Sequence, residues 1–367
     1  MRIASFNVEN LFSRARALNQ ETWAEGKDVL GAYGRLGARL QQTVYSDSDK
    51  EAILADLDLL GLKRSDESSF AILRQNRGGL VKRASNSTQI VANGREDWVG
   101  WVELKTEAVN VVATRMTAKV IKDVNADVLA VVEAEDRIAL KRFNDQLLKA
   151  AEAAYDCIML IDGNDERGID VGLMTKSGVD IGTIVSHVDD SVRGQRIFSR
   201  DCPEFTVRVG ERRVLLLVNH FKSKGFGSAA SSNARRKAQA RRVREIYERR
   251  KAEGVQAIAI VGDFNDTPNS DPLKPLLGEG SDLRDISEHE KFVSDGRPGT
   301  FGNGTASNKI DYLLLSPHLF ERVTLGGVWR KGVWGGKHGT LFPHYEEMTS
   351  PVHAASDHAA IWADIEL

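Results

Sequence analysis

In the segment AIAIVGDFNDTPNSDPL, residues 257–273, an apolar run stops at Gly262 and is followed at once by Asp263, Asn265 and Asp266. An ordinary turn uses the same residue types, so one strand end alone carries no chemistry. The feature recurs, however. Asn7 follows RIASF, Glu133 follows VLAVV and His220 follows VLLLVN, while Asp170 precedes VGLMT, Asp311 precedes YLLLS, and Asp357 with His358 precedes AAIWADI. In a mixed sheet the C-terminal ends of strands running one way and the N-terminal ends of strands running the other share one edge. The seven strand ends therefore predict a single rim lined by Asn, Glu, His and Asp side chains.

Such a rim suits a hard cation. Magnesium takes oxygen ligands, uses few carboxylates and leaves positions for substrate phosphate, and Glu133, Asp263, Asn265, Asp357 and Asn7 are donors of that kind. Zinc fits less well, because neither an HExxH nor a CxxC spacing is present. Beside a polarised phosphate, His220 and His358 would serve as general acid, electrophile or base. Taken singly, each histidine is more often a satisfied structural residue at a strand end.

The elements that must position these groups follow from periodicity. RIASFN, DVLAVVE, DVGLMT, RRVLLLVNH, QAIAIVGD, KIDYLLLS and HAAIWADIEL have strand length and apolar character. Helical spacing of Val111, Val112, Met116, Val120 and Ile121 predicts a helix over 107–124. SSNARRKAQARRVREIYERRKAEG predicts another, with Ser231 or Ser232 as N-cap and Gly254 as stop. Strands and helices in alternation indicate an α/β layered domain.

The stretch between the first strand and Glu107 breaks that rhythm. It holds a helical piece, DKEAILADLDLLGL, and two predicted hairpins, FAILRQNRGGLVKR and STQIVANGREDWVGWVEL, with turn signals at Arg77-Gly78-Gly79 and Asn93-Gly94. It reads as an insertion. Its Arg74, Arg77, Lys82, Arg83, Arg95, Trp98 and Trp101 fit packed aromatics with solvated charge, or an arm that contacts substrate.

Composition narrows the class without choosing a partner. The 367 residues include 50 Lys and Arg against 52 Asp and Glu, a net charge of -2, so the whole-molecule field favours no polyanion. Two cysteines, Cys157 and Cys202, cannot make a disulfide framework and favour a reducing compartment. Arg2 and Asn7 interrupt the opening apolar run, and no later stretch has the length of a membrane span, so the expectation is a soluble cytoplasmic protein without membrane partners.

SFNVENLF, DVLAVVEAED, VNHFKSKG, VGDFNDTP, KIDYLLLS and ASDHAAIW stand in an order that resembles the endonuclease/exonuclease/phosphatase superfamily. Its members include deoxyribonuclease I, exonuclease III, inositol polyphosphate 5-phosphatases and neutral sphingomyelinases. The resemblance covers residues 1–12 and about 107–367, so one such domain is expected over 1–367, with a helix-plus-hairpin insertion at about 13–106. It implies a four-layer α/β/β/α sandwich of two mixed, mainly antiparallel sheets, like that of deoxyribonuclease I, and divalent-metal phosphoesterase chemistry.

Residue by residue, Asn7 and Glu133 look like the first-strand Asn and the metal-binding Glu, with Val132 replacing the family's Gln. Glu135 is a rival on the same strand face, but Glu133 keeps the family spacing from Asp127. Asp263 and Asn265 match the GDxN pair, Asp311 the Asp that orients a histidine, and Asp357-His358 the SDH ending. His220 matches the histidine of the deoxyribonuclease I and phosphatase branches. The abasic-site branch has a Tyr-containing motif there, which counts against an abasic-site repair enzyme.

The implied reaction is hydrolysis of a phosphate ester by in-line water attack. Asn7, Glu133 and Asp357 would hold Mg2+, with Mn2+ able to substitute and one or two ions bound. Asp263 with Asn265 would orient or deprotonate the water, the two sharing one face of an extended segment. Asp311 would fix the tautomer of His358, and His220 would protonate the leaving group or bind a non-bridging oxygen. Arg167, Asp170, Lys222, Lys224, Arg330 and His344 are candidate substrate contacts, for which polar turns and surface loops are equal alternatives.

The helix after His220 carries Arg235, Arg236, Lys237, Arg241, Arg242, Arg244, Arg249, Arg250 and Lys251. A charge run is usually a solvated face, but its start beside a phosphate site raises the case for a nucleic-acid backbone. The expectation is a nuclease, with DNA favoured over RNA. The alternatives are a phosphatase on a small, inositide or lipid phosphate, a non-catalytic nucleic-acid-binding homologue, and an enzyme regulated by the inserted arm.

Overall fold

The computed structural model of the chain describes residues 1–11, 13–18, 23–165, 168–224 and 228–367. It divides into two compact units, one of residues 1–12, 109–224 and 230–367 and one of residues 13–108 with 225–229.

The larger unit is built on two sheets. The seven-stranded sheet runs Phe292–Val293, Val323–Trp329, Ala360–Ile365, Arg2–Leu11, Val128–Ala134, Asp170–Thr175, Cys157–Ile161. The six-stranded sheet runs Asp180–Val185, Glu204–Val209, Arg212–His220, Ile258–Asp263, Asp311–Leu315, Arg284–Asp285. Both are mixed, with Arg2–Leu11 parallel to Val128–Ala134 and Arg212–His220 parallel to Ile258–Asp263 among mostly antiparallel pairs. Strand alternation explains why the sheets stack. Val128, Ala130 and Val132 from one sheet and Leu216, Val218, Ala259, Val261 and Leu313 from the other form a single buried cluster between them.

The opposite strand faces are covered by helices. Leu129 and Val131 pack with Met116, Val120 and Ile121 of the helix Val111–Val124. Leu215, Leu217, Ile258 and Ile260 pack with Val243, Ile246 and Tyr247 of the helix Ala229–Ala252. The layers are thus α/β/β/α, as the motif order implied.

Helix boundaries differ from the sequence reading for local reasons. Asn110 caps the first helix by accepting from the Val112 N–H at 2.8 Å, while Thr106–Ala108 pairs as a strand with Ser13–Ala15 instead of extending the helix. The basic helix starts at Ala229, so Ser231 and Ser232 lie inside it; Gly254, at φ +89°, lies just past its end.

The smaller unit has its own core of Leu30, Leu36, Ile53, Leu57, Leu73 and Trp98 around the helices Trp23–Leu40 and Asp47–Leu59. Ser46 opens the second helix with a reciprocal capping box to Asp49. The two predicted hairpins are nested instead of consecutive: Ala71–Arg77 pairs with Val99–Leu104, and Val81–Arg83 pairs inside them with Thr88–Ile90. Neither turn signal closes a hairpin, because Leu80 and Ile90 must both reach the core. Trp98 is core, its Nε1 donating to the Tyr45 hydroxyl at 3.2 Å, and Arg83 is spent on the carbonyls of Leu62, Lys63 and Ser65. No helix among the described residues is long and apolar enough to cross a membrane.

Candidate active site

Because Ala259 and Val261 point between the sheets, alternation sends Asp263 to the same side at the strand's end. The same parity carries His220 inward after Leu216 and Val218, and Asp311 inward before Leu313. Register makes the three neighbours, His220 beside Asp263 and Asp263 beside Asp311. His220 Nε2 lies 3.6 Å from Asp263 Oδ2 and 3.4 Å from Glu133 Oε1. His358 Nδ1 is 2.8 Å from Asp311 Oδ2, which also accepts from the Thr300 hydroxyl at 2.5 Å. Asn7 Nδ2 stands 3.4 Å from Asp263 Oδ2 and 3.5 Å from His358 Nε2, and Asp357 Oδ1 is 3.6 Å from the same ring nitrogen. All eight residues expected to act on metal or phosphate thus meet at one rim, since Asn265 donates to Asp263 Oδ2 at 3.0 Å.

Two of these positions and one neighbour depend on left-handed backbone. Glu9, Glu133 and Asn265 have φ of 50°, 67° and 54°, conformations that L-residues adopt at a cost and that cluster at functional sites. Plain alternation would send Glu133 to the helix-covered face with Leu129 and Val131; the left-handed residue turns its carboxylate toward His220 instead. Asn265 corrects the sequence reading. It shares no extended face with Asp263, but folds back through a turn in which its backbone N–H donates to Asp263 Oδ1 at 2.8 Å.

Glu9 was missed altogether. Its N–H donates to Asn7 Oδ1 at 3.0 Å and its Oε2 accepts the Asp357 N–H at 3.0 Å, where the register with Val128–Ala134 breaks after Asn7. Its carboxylate two residues beyond Asn7 was the available signal. As a result Asn7 gives its oxygen to Glu9 and presents its amide nitrogen to Asp263 and His358. Thr300 was also missed, since a threonine eleven residues before an aspartate has no distinctive spacing.

Charge is unbalanced here. Burial and the Asp311 carboxylate push the Asp263 carboxyl up to about 7. Burial alone would depress the His358 imidazole, but Asp311 and Asp357 outweigh it and hold it well above its ordinary value. Neither Asp263 nor Asp311 forms an ion pair with a lysine or arginine side chain among the described residues. Ligand atoms of Asp263, Asp311 and His358 lie within 4.8 Å of one another, close enough to share an ion. Carboxylates in excess of imidazoles, with hard oxygen donors, fit a divalent cation.

The flanking candidates divide. Asp170 is buried on the strand beside Ala134, accepts the Gly163 N–H at 2.7 Å, and burial pushes its carboxyl up to about 7. Lys224 is held by Asp266 at 2.8 Å, and the backbone of Lys222 is bonded to Gln239 and Arg236. Arg330 is a loop clamp: nearly buried, it pairs with Asp295 and donates to the carbonyls of Arg297 and Gly299 at 2.6 Å each. That loop brings Phe301 against His358, ring centres 4.9 Å apart. His344 packs on Trp334, its ring 5.5 Å away. Arg167 lies outside the described residues.

The basic helix carries less free charge than its sequence promised. Arg236 pairs with Asp266, Lys237 with Asp271, Arg242 with Asp190, Arg244 with Glu248, Arg249 and Arg250 with Glu204, and Lys251 with Asp282. Arg235 donates to backbone carbonyls. Most of the run fastens the helix to its own sheet and loops.

Residues 85–320 match the Endonuclease/Exonuclease/phosphatase family. No curated protein matches the chain significantly. Among solved structures, the mannosyl-6-phosphatase Bt3783 of Bacteroides thetaiotaomicron VPI-5482 overlaps 70% of this chain and 91% of its own at 17% identity and a TM-score of 0.51, a likeness of fold. A truncated TDP2 from Caenorhabditis elegans overlaps 69% of this chain and 90% of its own, at 20% identity and a TM-score of 0.47. The human Nocturnin catalytic domain with bound sulfate overlaps 71% and 88%, at 15% identity and 0.48.

Proposed function

The chain belongs to the endonuclease/exonuclease/phosphatase family, whose members hydrolyse phosphoester bonds, and from that premise we propose that it is a divalent-metal-dependent phosphodiesterase, a nuclease acting on DNA. One observation carries the reading. Asp263 and Asp311 face each other across adjacent strands, buried, beside two histidines, and among the described residues neither carboxylate is ion-paired with a lysine or arginine. The chain offers the His358 imidazolium against Asp263, Asp311, Glu133 and Asp357, an excess of acid that a bound cation would offset.

Glu133 and Asp357, next to Asn7, would hold magnesium. When bound, the cation supplies charge neutralisation at the phosphate and the leaving oxygen. Asp263, poised near neutrality and held by Asn265, takes the proton of the attacking water. The Asp311 carboxylate fixes His358 through Nδ1, which leaves the other ring nitrogen to donate to a non-bridging phosphate oxygen. His220, between Glu133 and Asp263, delivers a proton to the leaving oxygen.

The testing experiment is one panel: purified protein with Mg2+ or Mn2+ against supercoiled plasmid, linear single and double strands, RNA, inositides and phospholipids, with EDTA and Asp263→Ala controls. The proposal expects metal-dependent cutting of DNA, abolished in both controls. Phosphate release from inositides with intact plasmid would replace the nuclease by a phosphatase.

A further inference from the structure

The basic helix leaves one cation over. Arg241 is exposed and, alone among the helix cations described above, bonds to no carboxylate or carbonyl among the described residues. It lines a cavity of about 370 Å3 between the helix Ala229–Ala252 and the hairpin formed by Ser191–Val192 and Gln195–Arg196. The other walls are Ser191, Val192, Ile197 and Ala238, together with Asp190, Arg242 and Glu245, whose charges are spent on one another. Beside it, the hairpin turns through Arg193 and Gly194 at φ 50° and 76°. Such a turn asks for Asn or Gly at its first position, so an arginine there is held at a conformational cost. Arg193 likewise has no partner among the described residues. Arg193 thus holds a second free cation, under strain, at the tip of the hairpin that walls the cavity.

We propose that this cavity is a second substrate subsite, which takes a stretch of single-stranded nucleic acid away from the scissile bond. Arg241 and Arg193 meet backbone phosphates, and Val192, which is 54% exposed, with Ile197 and Ala238 meets the face of a sugar or base. A bare inorganic anion has no use for the apolar wall. The flank is that of His220: the Ile197 carbonyl accepts from Arg235, and Arg200, three residues on, donates to the carbonyl of Phe221, the residue after His220. This inference rests on the nuclease reading and adds where the strand runs.

The test compares KM for a long single-stranded oligonucleotide with KM for bis(p-nitrophenyl) phosphate, in magnesium, for wild type, Arg241→Ala and Arg193→Gly. Glycine suits the backbone at 193, so the second variant keeps or raises Tm and cannot fail by misfolding. Each variant is expected to raise KM for the oligonucleotide about fivefold and to flatten the slope of log(1/KM) against log salt by about 0.7. The small ester, which has no flanking strand, keeps its KM. Unchanged oligonucleotide KM and salt slope in both variants, with wild-type cutting intact, overturns the subsite alone. Failure of wild type to cut any nucleic acid while it splits the small ester overturns the nuclease reading and this inference with it.

Discussion

Two buried clusters in the larger unit each place a histidine between carboxylates, and they are built to opposite ends. At the rim, His358 meets Asp311 at 2.8 Å with Asp263 and Asp357 close by. On the flank, His187 sits between Glu204 and Asp190 at 2.9 Å each. The flank cluster is then closed by protein cations: Arg250 binds both oxygens of Glu204, Arg249 adds a third contact, and Arg242 takes Asp190. Burial pushes the Glu204 carboxyl up, but His187 and Arg250 outweigh it and hold it at about 2. At the rim, burial drives Asp263 the other way, to about 7. Residue types are therefore a poor guide to whether such a cluster fastens or reacts; the guide is whether the chain supplies the missing positive charge.

The sharpest break would come from Asp263. Asp263→Ala or His358→Ala is expected to cut metal-dependent turnover at least about a thousandfold; a variant that keeps near-wild-type rates would erase the distinction between the clusters. Folding should respond with the opposite sign. A carboxyl raised from 3.8 to about 7 costs stability as pH climbs through that window, so Asp263→Asn should melt several degrees higher than wild type at pH 8 in EDTA, with the gain shrinking toward pH 4.

Next in size is Glu204→Gln, which leaves Arg249, Arg250 and His187 around a neutral amide. Urea unfolding at pH 7 should show a loss of about 3 kcal/mol, with the turnover of the folded enzyme intact. The carboxyl is depressed, so its contribution is present above about 4.5 and fades as pH falls toward 2; the gap between variant and wild type should close over that window. A constant gap would mean packing, not charge, holds the flank.

Magnesium should separate the clusters in a third way. At a hundred times its Kd the ion should stabilise wild type and Glu204→Gln alike by about 2.7 kcal/mol, and Glu133→Ala by much less. Smallest is Arg330→Ala, which frees the loop carrying Thr300 and Phe301; kcat should fall by the equivalent of about 1 kcal/mol with KM held. A KM effect instead would return Arg330 to the substrate contacts.

Strand parity made the rim legible in the sequence. Asn7, His220, Asp263 and Asp311 close or open apolar runs, and an apolar run fixes both a strand's face and its end. Glu133 was legible as a strand end but was preferred to Glu135 only through the family spacing, because a left-handed residue overrides parity and leaves no mark in the composition. Glu9 and Thr300 act through contacts formed when distant segments meet, Asp357 in one case and Asp311 in the other. The pairing of the basic helix was hidden for the same reason: its carboxylate partners lie as far away as Glu204 and Asp282, and no local pattern pairs them. In the smaller unit the turn signals were real turn residues, yet register was set by which side chains reach Trp98 and its neighbours.

The short pairing of Ser13–Ala15 with Thr106–Ala108 brings the chain out and back side by side. For protein engineering that makes a socket. The segment between those strands, with a core of its own, can be excised and its two ends joined by a tight turn, or exchanged for an unrelated module, without asking the larger unit's sheets to change their connections.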